Sequence, residues 1–267
     1  MLTEQQLRHF ETFGFVVMRQ VFTAAELETL NGEFIGELEA AYGHAPFDGS
    51  KRHWKMMLGP DTPFFAGLPE DERFCVVAEQ LYGEDVIAIG SDANRYVGDT
   101  RWHPDTGSIH QYGVKFAYYL QSVGPESGAL RLIPGSHREP LHSTLREKMA
   151  EMDLDIDQVP AQVCTAEPGD VVAFDVRCWH ASCGGGKDRR MCTLVYYNNP
   201  KNAEEEQATG AQIVGNIKVL ESFGLPKQPF YHPHWWSNPD DNPRRRRWIE
   251  RLEELGYVDP YLEGEAA

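Results

Sequence analysis

The chain has 267 residues, 41% of them hydrophobic and 11% aromatic, enough to bury a sizeable core, and all-β barrels and sandwiches of this length occur as single domains. A net charge of −16 repels phosphate backbones and anionic lipid and so argues against nucleic-acid and membrane partners, although a local positive pocket can still take an anion. No run of about 18 apolar residues occurs, so no membrane-spanning helix is expected, and MLTEQQLRHF holds no basic segment followed by an apolar one, so no secretory signal is expected. The cysteines at 75, 164, 178, 183 and 192 lack framework spacing, which predicts reduced thiols in a cytoplasmic protein.

Thr3 and Gln6 form a capping box that opens a helix carrying Leu7, Phe10 and Phe13 at helical spacing. Gly14 stops it, and Phe15 to Met18 reads as a short strand. A second capping box, Thr23 to Glu26, opens a helix with Leu27, Leu30, Phe34 and Leu38 on one face. Residues 43–70 are rich in Gly, Pro and aromatics with little period, and are expected as a long loop that covers something.

From about 85 to 200 the pattern becomes short β runs with turn punctuation. Val86–Ile89, Val114–Leu120, Ala129–Ile133, Val171–Phe174 and Cys192–Tyr197 are the predicted strands, and Lys115, Ala117 and Tyr119 share one face of the second. Pro134-Gly135 closes the third strand and Pro168-Gly169-Asp170 enters the fourth. Strands at this spacing predict a sandwich or barrel. Residues 142–158 interrupt it with a charged, helical insertion, and Asn242 to Gly256 reads as a helix with Pro243 at its start. No repeat or interdomain linker is visible. The expected organisation is one domain over 1–267: N-terminal helices to about 70, a β core over about 75–200, and an extension over about 205–267.

The chemistry gathers on few residues. His103 and Asp105 are two apart, and on an extended strand end such side chains point the same way. Pro104 between them suits a strand exit. His180 ends PGDVVAFDVRCWH, a turn and a strand. Two imidazoles and a carboxylate form the facial triad that holds non-haem Fe(II) with open positions. A lone His-x-Asp is a weak signal, and a lone His180 reads better as a hydrogen-bonded core residue, but the two segments together predict one metal site. Arg189 and Arg190 open the last strand, where alternation sends only one of them inward, and a buried Arg needs an anionic partner. The plainer reading makes both solvated turn residues. Ser182 stands near the same rim.

Other candidates carry less. His137 follows the Pro134-Gly135 turn and reads as structural. His110 is a candidate to face a substrate. His232 and His234 lack a third ligand, and Trp235 and Trp236 read as core-packing residues. Cys178 and Cys183 flank His180 and are expected to be buried, inert thiols, since exposed thiolates beside an oxygen-activating metal oxidise.

In order along the chain, LTEQQLRHFETFGFVVMRQVFTAAELETL, WHPD, SGALRLIPGSHR, PGDVVAFDVRCWHAS and RRMCTLVYY resemble the phytanoyl-CoA dioxygenase-like family of Fe(II)/2-oxoglutarate oxygenases over roughly residues 3 to 200. The resemblance implies a mainly β fold with flanking helices, built on a double-stranded β-helix, or jelly-roll, core. It implies iron ligands at His103, Asp105 and His180, a 2-oxoglutarate salt bridge at Arg189, and an auxiliary hydrogen bond at Ser182. It further implies O2 as the second co-substrate, with ascorbate as a reductant, and release of succinate and CO2. Two departures stand out. The position between the first two ligands is often Gln in the family and contacts the co-substrate. Here it is Pro104, so Lys115, Tyr119 or Asn94 is expected to compensate. The extended signature of ectoine hydroxylases is absent, which disfavours that substrate. Related halogenases lack the carboxylate ligand. Asp105 is kept, so hydroxylation of a small molecule is expected, with desaturation or cyclisation as outcomes of the same site. The competing classes are a jelly-roll binding module without catalysis and a hydrolytic zinc enzyme on the same ligands.

Overall fold

A computed structural model describes residues 1–149, 155–223, 233–237, 239 and 242–257. Helix α1 (Glu4–Phe13) starts at the Thr3/Gln6 capping box and ends on Gly14, whose φ of 84° is the left-handed region that glycine adopts freely. Strand β1 (Phe15–Met18) follows, then α2 (Ala24–Ala41) from the Thr23/Glu26 box with Leu30, Phe34 and Leu38 buried. These elements match the sequence pattern.

Residues 43–70 do not form a plain loop. They hold strand β2 (His53–Met56) and the short helix α3 (Pro63–Gly67). Pairing fixes β2, which runs antiparallel to β3 (Ile87–Tyr96) from His53 opposite Arg95 to Met56 opposite Asp92. Helix α4 (Glu72–Tyr82) is a further element without a sequence-based expectation. Asp71 caps it, and Phe74, Cys75, Val77 and Ala78 bury one helical face.

The remaining strands are β4 (Thr100–His103), β5 (Gly113–Tyr119), β6 (Leu130–Leu132), β7 (Gln162–Cys164), β8 (Val171–Asp175), β9 (His180–Ser182) and β10 (Arg189–Tyr197). They form a six-stranded sheet, ordered β1-β8-β5-β10-β3-β2, and a four-stranded sheet, ordered β4-β9-β6-β7. All the strand pairs are antiparallel. The charged insertion contains α5 (Leu141–Met149) and a 3-10 turn at Ile156–Gln158, and its middle lies outside the described residues. Towards the C-terminus come α6 (Ala203–Ser222), α7 (Pro233–Ser237) and α8 (Pro243–Glu254).

Strand alternation divides the core in two. Phe116 and Tyr118 of β5 face outward, where Leu30, Phe34, Phe65, Phe74, Trp235 and Trp248 cover the large sheet. Ala117 and Tyr119 face inward with Phe15, Leu130, Leu132, Phe174 and Met191, between the two sheets. Each such aromatic or leucine removed from water contributes about 1.5–3 kcal/mol. This is a double-stranded β-helix with helices packed on its large sheet, and the space between the sheets opens into a cavity at one end.

Candidate functional site

Strand register builds the site. In the β4–β9 pair, His103 lies directly opposite His180, and Thr100 opposite Ser182. The two imidazole rings come within 4.3 Å, centroid to centroid. Asp105 follows β4 past Pro104 and is pinned by its backbone N–H, which donates to Val176 O at 2.9 Å. One ligand atom from each of His103, Asp105 and His180 falls within 4.8 Å of the others, and this is the metal-capable cluster among the described residues. His180 sits on its own short strand after a tight turn at Asp175–Cys178, rather than at the end of β8.

The hydrogen bonds set the ring tautomers. Nδ1 of His103 donates to Arg101 O at 2.7 Å, and Nδ1 of His180 donates to Cys178 O at 3.0 Å. Carbonyls only accept, so each Nδ1 carries the proton and each Nε2 keeps its lone pair for a metal. Burial, reinforced by His103, holds His180 neutral with a pKa of about 3. Burial alone would raise Asp105, but its neighbours, the Lys115 ammonium first, outweigh it and hold the carboxyl at about 2. Its Oδ1 accepts from Lys115 Nζ at 3.1 Å, while its Oδ2 is buried without a partner. Burial works against the Lys115 charge, but Asp105 and Asp92 outweigh it and raise its pKa. Two neutral imidazoles and an ionised carboxylate with an orphaned oxygen fit a divalent metal.

Arg189 opens β10 and is 2% exposed. Its Nε and Nη1 have no hydrogen-bond partner, and its guanidinium lies 4.8 Å from the Tyr96 ring centroid. A buried cation without a counter-charge is costly unless an anion joins it. Arg190 points the other way, with Nη1 donating to Asn31 Oδ1 at 2.6 Å. Two glycines make room for the Arg189 head: a Cβ on Gly128 would lie 2.0 Å from Nη1, and one on Gly185 would lie 2.1 Å from it. These glycines lie in the SGAL and GGG runs, and the only sequence sign of their role is small residues flanking a predicted buried Arg.

One cavity of about 320 Å³ is lined by His103, Asp105, His180, Arg189, Ser182, Lys115 and Tyr119. Ser182 Oγ pairs with Thr100 Oγ1 at 2.8 Å on its rim. Asn94 does not line it. Its amide lies behind the wall, accepting from Arg52 and donating to Asp92 Oδ1 at 2.6 Å. His110 is exposed and also outside the lining. His137 packs against Gly14 away from the cavity, its Nε2 facing Glu11 O at 3.3 Å. Trp235 is buried in the core, Trp236 packs on it, His234 is exposed, and His232 lies outside the described residues. Cys178 is buried, and burial pushes its thiol far up. Cys183 is half-exposed, a correction to the expected buried thiol, because the chain after it leaves the sheet in the Gly184–Gly186 turn. The opposite wall comes from the two stretches where the sequence places pocket residues, 43–70 with Arg52, Trp54 and Met56, and 205–240 with Gln212, Asn216 and Val219 of α6, although sequence reasoning named none of these six.

A model of the phytanoyl-CoA dioxygenase family matches residues 10–191. The chain belongs to the phytanoyl-CoA dioxygenase family. It is a dioxygenase of the non-haem iron and 2-oxoglutarate class, by its membership of that family. Among curated proteins it is 24% identical to the ectoine dioxygenase of Sphingopyxis alaskensis, over 77% of this chain and 78% of that protein. It is also 24% identical to the ectoine dioxygenase of Stutzerimonas stutzeri, over 76% and 78%. Among solved structures, HygX from Streptomyces hygroscopicus with nickel and 2-oxoglutarate aligns at a TM-score of 0.59 and 21% identity, covering 74% of this chain and 87% of that one. EctD from S. alaskensis with 2-oxoglutarate and 5-hydroxyectoine aligns at 0.56 and 23%, covering 74% and 76%. The epimerase SnoN from nogalamycin biosynthesis aligns at 0.56 and 17%, covering 73% and 83%. These likenesses establish the double-stranded β-helix.

Proposed function

We propose that this enzyme hydroxylates a small molecule, with His103, Asp105 and His180 as iron ligands and Arg189 as the 2-oxoglutarate anchor. The observation that carries the reading is the buried, unpartnered Arg189 guanidinium in the same cavity as the three ligands. A hydrolytic metal site leaves that charge without a purpose. When bound, the iron and 2-oxoglutarate supply the oxygen-activating chemistry, and the chain supplies orientation and exclusion. Cys178 O and Arg101 O orient the two imidazoles, and Lys115 holds Asp105 through Oδ1, which also lies 3.8 Å from His180 Nε2. Arg189 takes the distal carboxylate as a fork. Ser182, Thr100 and Tyr119 border that end, and Lys115 and Tyr119 occupy the flank that Pro104 cannot serve with a side-chain donor. Phe174 and Leu130 close the floor apolar, which limits water around the metal.

The cavity lies at the low end of the roughly 300–1,000 Å³ typical of ligand pockets, so the substrate is small. Retention of Asp105 leaves no vacated ligand position for a halide, which supports hydroxylation over halogenation. The five cysteines are all unpaired, which supports a reducing, cytoplasmic setting. Among the described residues no helix is long and apolar enough to cross a membrane. The test is a small-molecule screen for succinate formation and O2 uptake by iron-loaded protein, followed by mass spectrometry of the product. A product heavier by one oxygen supports the reading. Succinate formation without any change in the mass of a consumed substrate overturns hydroxylation, and turnover that needs neither O2 nor 2-oxoglutarate overturns the whole assignment.

A further inference from the structure

The cavity presents the cations Arg52, Lys115 and Arg189 and the carboxylates Asp92 and Asp105. Lys115 is paired to Asp105, and Arg189 is assigned to the co-substrate. Arg52 is left. Its Nε and Nη2 donate to a neutral acceptor, Asn94 Oδ1, at 3.0 Å for Nε. Asn94 cannot turn away, because its own Nδ2 donates to Asp92 Oδ1. The Arg52 guanidinium lies 4.0 Å from the Tyr96 ring centroid and 5.1 Å from that of Phe223. Both rings are within cation–π distance of the head group. A guanidinium has five N–H donors, so most remain for a ligand, and among the described residues no carboxylate is within ion-pairing distance of it. On the same wall, Asn216 of α6 has a buried Nδ2 without a partner. Its Oδ1 is taken by Gln212 Nε2 at 3.2 Å, which fixes the amide with its donor end free.

We propose that the substrate carries a carboxylate, that Arg52 binds it, and that the Asn216 amide donates a further hydrogen bond to the same molecule. The proposal rests on the iron/2-oxoglutarate reading of the site. Charge decides between acid types. A divalent metal and the dianionic co-substrate cancel. Three cations against two carboxylates then leave one positive charge in the cavity, which suits a monoanion and leaves a phosphate dianion undercompensated. On a chain of net charge −16, an anionic substrate needs such a local cation to enter at all.

The experiment uses the full-length protein loaded with Ni(II) and 2-oxoglutarate. The probes are a panel of small carboxylic acids (α-amino acids, cyclic amino acids and aromatic acids), each with its primary amide, and a set of phosphate monoesters. Binding is read by calorimetry and by thermal shift. The expected result is that one or more acids bind while their amides bind about tenfold or more weaker, the size expected when a charged partner is lost. Arg52→Gln then weakens the acids by a similar factor and abolishes the acid–amide difference, while 2-oxoglutarate affinity on the same samples stays within about twofold. Arg52→Lys keeps the charge without the fork and falls between the two, and it serves if Arg52→Gln does not fold. The proposal is overturned if no acid outperforms its amide, if phosphate monoesters bind in preference, or if Arg52→Gln leaves the acid–amide difference intact. Failure of wild type to bind 2-oxoglutarate with metal is a separate result, and it overturns the iron/2-oxoglutarate reading instead.

Discussion

Strands β4, β9 and β10 bring His103, His180, Ser182 and Arg189 to the cavity by register, whereas Arg52, Trp54, Gln212 and Asn216 reach it from the start of β2 and from helix α6. In the first wall β9 and β10 are locked by ladder hydrogen bonds on both sides, β9 by β4 and β6 and β10 by β3 and β5, while β4 is an edge strand held by β9. A one-residue slip there would turn every ligand outward. The second wall has no such ladder over α6, and its polar side chains are fixed by one another. The contrast fits the division of work proposed above, with metal and co-substrate on the sheet wall and substrate on the helix-and-loop wall.

The largest effect expected is on the sheet wall. His180→Ala removes a buried imidazole, a proposed iron ligand, from an inner strand of the small sheet. Metal affinity should fall by more than the roughly 10–100-fold that loss of an outer partner costs, and turnover should be lost while circular dichroism is unchanged. Near-normal activity in this variant would show that the cluster is not the metal centre.

Arg189 comes next. Arg189→Ala leaves the bound co-substrate's carboxylate unpaired, a loss of about 2–5 kcal/mol or more in 2-oxoglutarate binding. Arg190→Ala, which loses only the contact to Asn31, should change it little. The ligand-free protein should respond oppositely: replacing an unpaired buried cation with Met is stabilising, at about 2–4 °C in Tm per kcal/mol for a chain of this size. Gly128→Ala should mimic the binding loss, since the new methyl meets the guanidinium at 2.0 Å on a backbone with φ of 84°. Wild-type 2-oxoglutarate affinity in Gly128→Ala would mean that Arg189 has another way to sit.

The two walls also differ in how legible they are in sequence. His103, His180 and Arg189 stand on short strands with period-two alternation, Asp105 follows two residues after His103, and alternation sends one of two neighbours inward. It says that only one of Arg189 and Arg190 faces in; the family resemblance picks Arg189, and the structure buries Arg189 at 2% exposure. Arg52 sits in an aperiodic Gly- and Pro-rich stretch where no pattern marks an inward face. Strand β2 exists because β3 is there to pair with it, a tertiary fact. Helix α6 begins with Glu204, Glu205 and Glu206 and mixes apolar and polar residues without a clean stripe, so Gln212 and Asn216 give no sign of facing a cavity. Asn94 shows the limit of alternation from the other side. It is buried, but it supports Arg52 and Asp92 from behind.

Acid exposes the sheet wall in the metal-free protein. His180 is held neutral near 3, and burial also lowers the pKa of His53, His137 and His142. Their unfolded value is about 6.5, so below that pH the unfolded chain binds more protons than the native one. Their contribution is intact above about pH 6.5 and drains as pH falls toward the folded values, for His180 down to about 3. Each such group adds up to about 1.4 kcal/mol per pH unit to the slope. Asp105 adds its share later, between about 3.8 and about 2. Denaturant melts of the metal-free protein between pH 7 and 5 should show this loss, and His142→Gln, outside the cavity, should remove one group's share. A flat profile would mean that these imidazoles take up protons as readily in the native state as in the unfolded chain.

The smallest effect expected lies on the helical wall, and it is the sharpest test of the division of labour. Gln212 donates from Nε2 to Tyr197 Oη and to Asn216 Oδ1, both at 3.2 Å. Gln212→Ala deletes both bonds and lets the Asn216 amide turn. At about 0.5–1.5 kcal/mol per neutral hydrogen bond, the substrate KM should rise by up to about tenfold. No metal ligand is touched, and neither partner contacts Arg189 or Asp105, so 2-oxoglutarate affinity and substrate-free succinate formation should not move. The decisive measurement is the ratio of the two changes in one variant. If the co-substrate affinity falls along with the substrate KM, α6 supports the metal end of the cavity as well, and the two walls act as one unit.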